Sequence, residues 1–409
     1  MTLSTPGVPG TMDPFTHAKE MFLQGLESFE AARFEDAERC FLASLATLPN
    51  RISTLVNLAS TRLKLSRPQE ALDVADQVLA IEPDNLEGWY HRSTALARIG
   101  RLDEALPGFD RTLAIAPDLG QAWTYRGSVL QELGRLNEAA ESFQRAIDNG
   151  ADRELNSYYL AAVSPQATPA SPPRHYVETL FDDYAGQFDE HLVGVLHYQA
   201  HTVLVENLAA LQHSRFLSAL DLGCGTGLCG PLVRPMTDRL AGIDLSGTMV
   251  AKAGTRGVYD ALVQADIVEH LRATDQRHDL VLAADVFIYV GDLEPVFDAV
   301  KRLLEPAGVF CFSVECDTPD GAGFALLSSM RYAHSGPYVM ALAQRHGFEV
   351  ADRVIAELRI QIGIHRMGRQ RTHQEGVAVR GRACRELGAQ AAAGARPVVD
   401  EHRLCERLA

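Results

Sequence analysis

Long apolar stretches are missing: the 409 residues contain no uninterrupted run of the ~18 that a membrane-crossing helix needs. The opening MTLSTPGVPGTMDPF has neither a basic start nor an apolar core, so no secretory leader is expected there and the cytoplasm is the expected location. Cysteine is sparse and unpatterned. The seven thiols (40, 224, 229, 311, 316, 384 and 405) form no CxxC pair and no Cys/His cluster of zinc spacing, which points to free thiols and no metal site. Positive charge is also short. With 38 basic against 53 acidic residues the chain carries −15, which argues against a protein that holds nucleic acid by bulk electrostatics.

What the first third does have is a period. Ala37, Ala71, Ala105 and Ala139 lie 34 residues apart, as do Pro49, Pro83 and Pro117, Trp89 and Trp123, and Gly100 and Gly134. Phe41, Phe109 and Phe143 follow their alanines by four, with Ala75 standing in once. Several registers agreeing on one period mean a supersecondary unit stacked on copies of itself. Gly25, Ala59, Ser93 and Gly127 allow close helix approach, and each proline ends a helix before the next unit begins. The pattern resembles the tetratricopeptide repeat in four copies. With RELNSYYLAA as a capping helix, the array is expected to occupy 18–163, after a structureless lead over 1–17. The resemblance implies a groove for a peptide or protein partner. Packing within the molecule, or dimerisation, is the alternative use.

A Pro/Ala/Ser-rich linker is expected over 164–175. Beyond it Leu180, Tyr184, Phe188, Leu192 and Leu196 recur at i+4, which predicts one apolar-faced helix, with a second over about 198–211. Together they form an expected helical lid over 176–212, in which Tyr184 and Phe188 are candidates to cover a ligand.

From 217 the pattern alternates. Short apolar runs at 218–222, 240–244, 261–266, 279–287 and 308–315 are separated by helical pieces near 228–236, 246–254, 267–273 and 292–304, with a further helix over 335–346. This is a βαβ series, so an α/β core with a mostly parallel sheet is expected over 217–362. The stretch ALDLGCGTGLCGPL follows the first strand. Gly223, Gly225 and Gly227 permit a sharp turn and close backbone approach to a ligand, and the helix behind offers amide donors. A dinucleotide loop reads G-x-G-x-x-G, and here the third glycine comes one place early. Asp221 suits an ammonium group, Asp244 at the end of the second strand suits two ribose hydroxyls, and Asp266 suits an adenine amino group with Ile267 against the ring. Asp266 as a helix cap is the alternative. Cys224, Leu245 and Ala284 complete the expected cofactor-binding set.

The series LDLGCGTG, GIDLS, QADI and LAADVF resembles class I methyltransferases, with a Rossmann-like sheet of seven-strand type and S-adenosylmethionine as the implied cofactor. Over about 18–360 the chain is similar to a bacterial group of predicted methyltransferases carrying N-terminal tetratricopeptide repeats, on the repeat alanines, LFDDYAGQFDEHLVGVLHY and the glycine motif. Methyl transfer needs alignment and, for a protic acceptor, a base. Catalytic candidates are Asp285, Tyr289 and His334, with His197, Tyr198 and Tyr332 also within expected reach. The Asn/Asp-Pro-Pro-Tyr/Phe motif of amino-methylating enzymes is absent after strand four, which disfavours nucleic acid and leaves a small-molecule or protein acceptor. Two alternatives compete. One is an interaction scaffold whose second domain binds cofactor without turnover; the other, a nucleotide-cofactor oxidoreductase, is disfavoured by the glycine spacing.

The alternation stops near 363. Residues 363–409, rich in Arg, Ala and Gly, read as an atypical disordered tail of the kind that out-of-frame GC-rich DNA encodes, and RIQIGI (359–364) is the candidate seventh strand.

Overall fold

In the computed structural model the period becomes antiparallel helix pairs: α1 (Pro14–Glu30) with α2 (Phe34–Thr47), α3 (Ile52–Lys64) with α4 (Pro68–Ile81), α5 (Leu86–Arg98) with α6 (Leu102–Ile115), and α7 (Gly120–Glu132) with α8 (Leu136–Asp148), capped by α9 (Arg153–Val163). The structure describes residues 13–186, 188–190, 199–210, 215–316, 323–358 and 372–381, and of 183, 184, 210, 351–358 and 372–381 the backbone alone. The small-residue register works as expected: a Cβ on Gly127 would stand 2.5 Å from the Phe143 ring, and one on Gly25 the same distance from Phe41. Trp89 and Trp123 donate their indole N–H to the carbonyls of Pro83 and Pro117, each at 2.8 Å. Ala32 and Ser66 stand in the register of Gly100 and Gly134, and all four adopt left-handed backbone at the turn between paired helices. The first helix starts earlier than expected, inside 1–17. Pro14 fits its first turn, and the Asp13 carboxylate accepts the Thr16 N–H at 3.1 Å.

Among the described residues, α10 (Arg174–Tyr184) and α11 (Ala200–Ala210) follow the linker. The single helix expected through Leu196 instead stops at Tyr184, where the Lys252 ammonium takes the Ala185 carbonyl. The sheet strands are β1 (Ala219–Leu222), β2 (Leu240–Asp244), β3 (Ala261–Gln264), β4 (His278–Ala283), β5 (Leu304–Glu315), β6 (Phe324–Leu326), β7 (Tyr332–His334), β8 (Phe348–Leu358) and β9 (Thr372–Gly381). Interleaved with them are α12 (Gly230–Val233), α13 (Gly247–Thr255), α14 (Ile267–Ala273), α15 (Glu294–Leu303) and α16 (Gly336–Arg345). The order β3-β2-β1-β4-β5 is parallel throughout. Along β4 the side chains alternate between two buried faces. Val281 and Ala283 pack with Phe297 and Val300 of α15, while Leu280 and Leu282 pack with Leu204 and Leu208 of α11.

The far edge corrects the reading of the tail. Thr372–Gly381 is a strand running antiparallel between β5 and β8, paired from Val309 to Glu315 on one side and from Phe348 to Leu358 on the other. Ladder bonds on both sides satisfy its backbone whatever its polar side chains, so its apolar alternation is short and escapes a pattern search. Residues 359–364 and 382–409 lie outside the described residues. A β6–β7 hairpin, absent from the sequence reading, joins β5 through Glu315 and Ala333.

This hairpin receives the end of the array. Gln131 donates to the Ser328 carbonyl at 2.7 Å, and Leu326 and Tyr332 share a buried cluster with Leu160 and Val163. The linker is fastened as well, since its Ala170 carbonyl accepts N–H bonds from Gly291 and Asp292 at 3.1 and 2.9 Å. Among the described residues no helix is long and apolar enough to cross a membrane.

Candidate active site

The strand order reverses between β2 and β5 around β1 and β4, and a crevice is expected beyond their carboxyl ends. A cavity of about 510 Å³ lies there, floored by the strand ends and walled by α10. It brings together Asp221, Gly223, Cys224, Gly225, Asp244, Leu245, Asp266, Ile267 and Ala284. Gly223 has φ 61°, and a Cβ on it would stand 2.5 Å from a Val286 methyl. The turn therefore needs glycine twice over, for its backbone and for its packing.

Two carboxylates organise the floor. Asp244 accepts the Gly225 N–H at 2.8 Å on one oxygen and the Ser246 N–H at 2.9 Å on the other. Burial raises its pKa, and these amides pull against that rise. Asp221 is fully buried and accepts the Tyr259 hydroxyl at 2.7 Å. Burial pushes its carboxyl up to about 7, the tyrosine bond opposing.

Tyr259 is the residue the sequence reading missed. Its ring fills a slot made of three glycines: a Cβ on Gly227, Gly230 or Gly242 would come within 2.9, 2.7 or 2.9 Å of it. Gly227, expected to face the ligand, thus does not line the cavity and instead makes room for the tyrosine that holds Asp221. The signal available was Gly242, an otherwise unexplained glycine in the middle of a buried strand. Asp266 lines the cavity and also caps α14, accepting the Glu269 N–H at 2.9 Å.

Overhead, Val177, Leu180 and Phe181 of α10 and the following Phe188 close the cavity. Their segment is latched to the floor. Asp182 accepts the Ser246 hydroxyl, and Asp189 accepts both the Thr226 hydroxyl and the Arg256 guanidinium. The Tyr184 side chain, His197 and Tyr198 lie outside the described residues.

Of the catalytic candidates, Asp285 and Tyr289 line the cavity and His334 does not. His334 is fully buried on β7. One ring nitrogen donates to the Gly291 carbonyl at 2.9 Å, and burial lowers its pKa to about 4, so it is a packing residue. Tyr332 faces the array, its ring 6.3 Å from that of Tyr158. His201, on α11, was not anticipated and lines the cavity.

A sheet of this order, with a glycine turn after β1 and acids at the ends of β1 and β2 and just after β3, defines a Rossmann-like domain of the class I methyltransferase kind. Residues 220–312 match the family model described as a methyltransferase domain, and 56–120 and 120–149 match two tetratricopeptide repeat models. The chain thus joins a tetratricopeptide repeat array to a methyltransferase domain. It is similar to a malonyl-[acyl-carrier protein] O-methyltransferase of Enterobacter lignolyticus, 32% identical over 29% of this chain and 48% of the relative. The chain therefore spans about half the length of that curated relative. It is also similar to a mouse FK506-binding protein-like protein, 39% identical over 20% of this chain and 25% of the relative. Among solved structures, magnesium protoporphyrin IX methyltransferase from Synechocystis is 16% identical with a TM-score of 0.40, over 51% of this chain and 99% of that one.

Proposed function

We propose that the protein is an S-adenosylmethionine-dependent methyltransferase acting on a small-molecule or protein acceptor, with the array holding a protein partner. The observation that carries this is a single cavity joining the glycine turn to three acids at successive strand ends. The donor set fits the cofactor. Asp221, buried and raised, gains a countercharge from an ammonium, while Gly223 and Gly225 leave room for the amino-acid end. Asp244 meets ribose hydroxyls, and Asp266 with Ile267 meets adenine. When bound, the cofactor supplies a methyl group on a sulfonium, open to in-line displacement. The chain's part is to align the acceptor and, through Phe181 and Phe188, to exclude water.

For the partner, a groove of about 460 Å³ lies between α7 and α9, lined by Gln121, Thr124, Ser128, Asn156 and Tyr159, which suits a polar peptide segment. Cys40, Cys224, Cys229 and Cys311 are free thiols, in keeping with a reducing compartment such as the cytoplasm. Calorimetry with S-adenosylhomocysteine and with NAD tests the cofactor. Binding of the first alone is expected; binding of NAD, or of neither, refutes the assignment.

A further inference from the structure

Asp285 has an uncommon backbone. It lies two residues beyond β4 in the left-handed region, φ 57°, without being glycine, a conformation that persists only where its surroundings hold it. Ser313 of β5 is the holder. Its buried hydroxyl accepts the Asp285 N–H at 2.8 Å and donates to the Asp285 carboxylate at 3.0 Å. One serine thereby fixes both the main chain and the side chain of a residue lining the cavity. His201 lines the same cavity, where the Asp285 charge raises its imidazole pKa against the effect of burial. The other charges acting on His201 are Arg256, behind the glycine turn, and Asp189 of the latch. Burial holds the imidazole below its ordinary pKa, hence neutral and able to take a proton at physiological pH.

We propose that His201 and Asp285 form the proton-accepting pair of the methyl transfer, which makes the acceptor a protic group on an apolar body. This rests on the cofactor reading above. The acceptor hydroxyl gives its proton to the imidazole and its oxygen bonds to the methyl carbon, while the pair of the broken carbon–sulfur bond stays on sulfur. One positive charge leaves the sulfonium and one appears on the imidazolium, where the Asp285 carboxylate meets it. Phe181, Leu180 and Tyr289 give the acceptor an apolar wall, with Phe181 and Tyr289 edge to face at 5.1 Å. An anionic acceptor would need no base and would meet the Asp285 charge unfavourably.

The test is the titration of the His201 imidazole by NMR in the full chain, its signal assigned by loss in His201→Gln. Asp285→Asn, which tolerates left-handed backbone, is expected to lower the His201 pKa by about half a unit or more. Bound S-adenosylmethionine, carrying the sulfonium, is expected to lower it by about one unit relative to bound S-adenosylhomocysteine. Phenol added to the S-adenosylhomocysteine complex is expected to shift the imidazole signal, and benzoate is not. A titration indifferent to Asp285→Asn or to the sulfonium, with both ligands bound, overturns the pair. Any other response to the two probes overturns the acceptor class. Failure of S-adenosylhomocysteine to bind by calorimetry is the failure of the cofactor reading itself, and the pair falls with it.

Discussion

Replacing Gly223 by alanine tests the turn at its tightest point. The new Cβ would stand 2.5 and 2.9 Å from the two Val286 methyls, and the backbone would keep φ 61°. Left-handed backbone costs an L-residue roughly 1–2 kcal/mol, and overpacking of this kind about 1–3 kcal/mol. The two costs are separable, because only the second depends on Val286. Val286→Ala alone, at a half-buried site, is expected to cost about 1 kcal/mol. The double variant retains the backbone strain without the clash, so it should be less unstable than the sum of the singles by about 1–3 kcal/mol. Denaturant unfolding of the four proteins measures this cycle, with S-adenosylhomocysteine calorimetry beside it to report on the cavity. Additivity within about 0.5 kcal/mol would refute the steric reasoning.

Cofactor affinity should depend on pH through Asp221. Its folded pKa is raised from 3.8 to about 7, so in the unliganded protein the stability tied to this group is fully present below the unfolded value and is lost as pH rises toward about 7. An ammonium ligand favours the ionised form, so S-adenosylhomocysteine should bind more tightly above that pH than below it. Asp221→Asn should flatten the profile and Tyr259→Phe should move it upward; a flat profile in the unsubstituted protein would exclude the ammonium role. Asp244→Ala removes the ribose acceptor and frees the Gly225 and Ser246 amides, and should weaken S-adenosylhomocysteine by about 1–3 kcal/mol. Unchanged calorimetric affinity would sink that assignment. Ser66→Gly places glycine where the later repeats already have it and relieves a left-handed serine, so it should stabilise the array by about 0.5–1 kcal/mol, read as a higher unfolding midpoint. A lower midpoint would mean that Ser66 is held by something other than turn geometry.

The array was legible because each of its registers repeats the same local interaction, the Trp89 indole on Pro83 recurring as Trp123 on Pro117. The cavity floor was legible for a different reason. A tight turn leaves glycine little choice, and strand ends that face a ligand carry its complement. Features made by long-range encounter were not legible. Tyr259 lies 38 residues from the Asp221 it serves, and within LVRPMTDRLAGID its only trace is Gly242, a glycine that the stretch itself does not explain. His201 reaches the cavity only because α11 packs on β4 and β5. His334 misled because a histidine after a strand looks the same whether it points at a ligand or at a carbonyl of its own core.

The two amide bonds onto Ala170 change what kind of object the linker is. A sequence that reads as a tether is part of the chamber wall, since Ser171 and Pro172 face the cavity just beyond the anchored residue. Adding or deleting a residue there would alter the shape of the reaction vessel, not merely the reach of the array. At the other end of the array, α1 packs on α2 and α3 among the described residues. Repeats gained or lost there would lengthen or shorten the array and leave the cavity as it is.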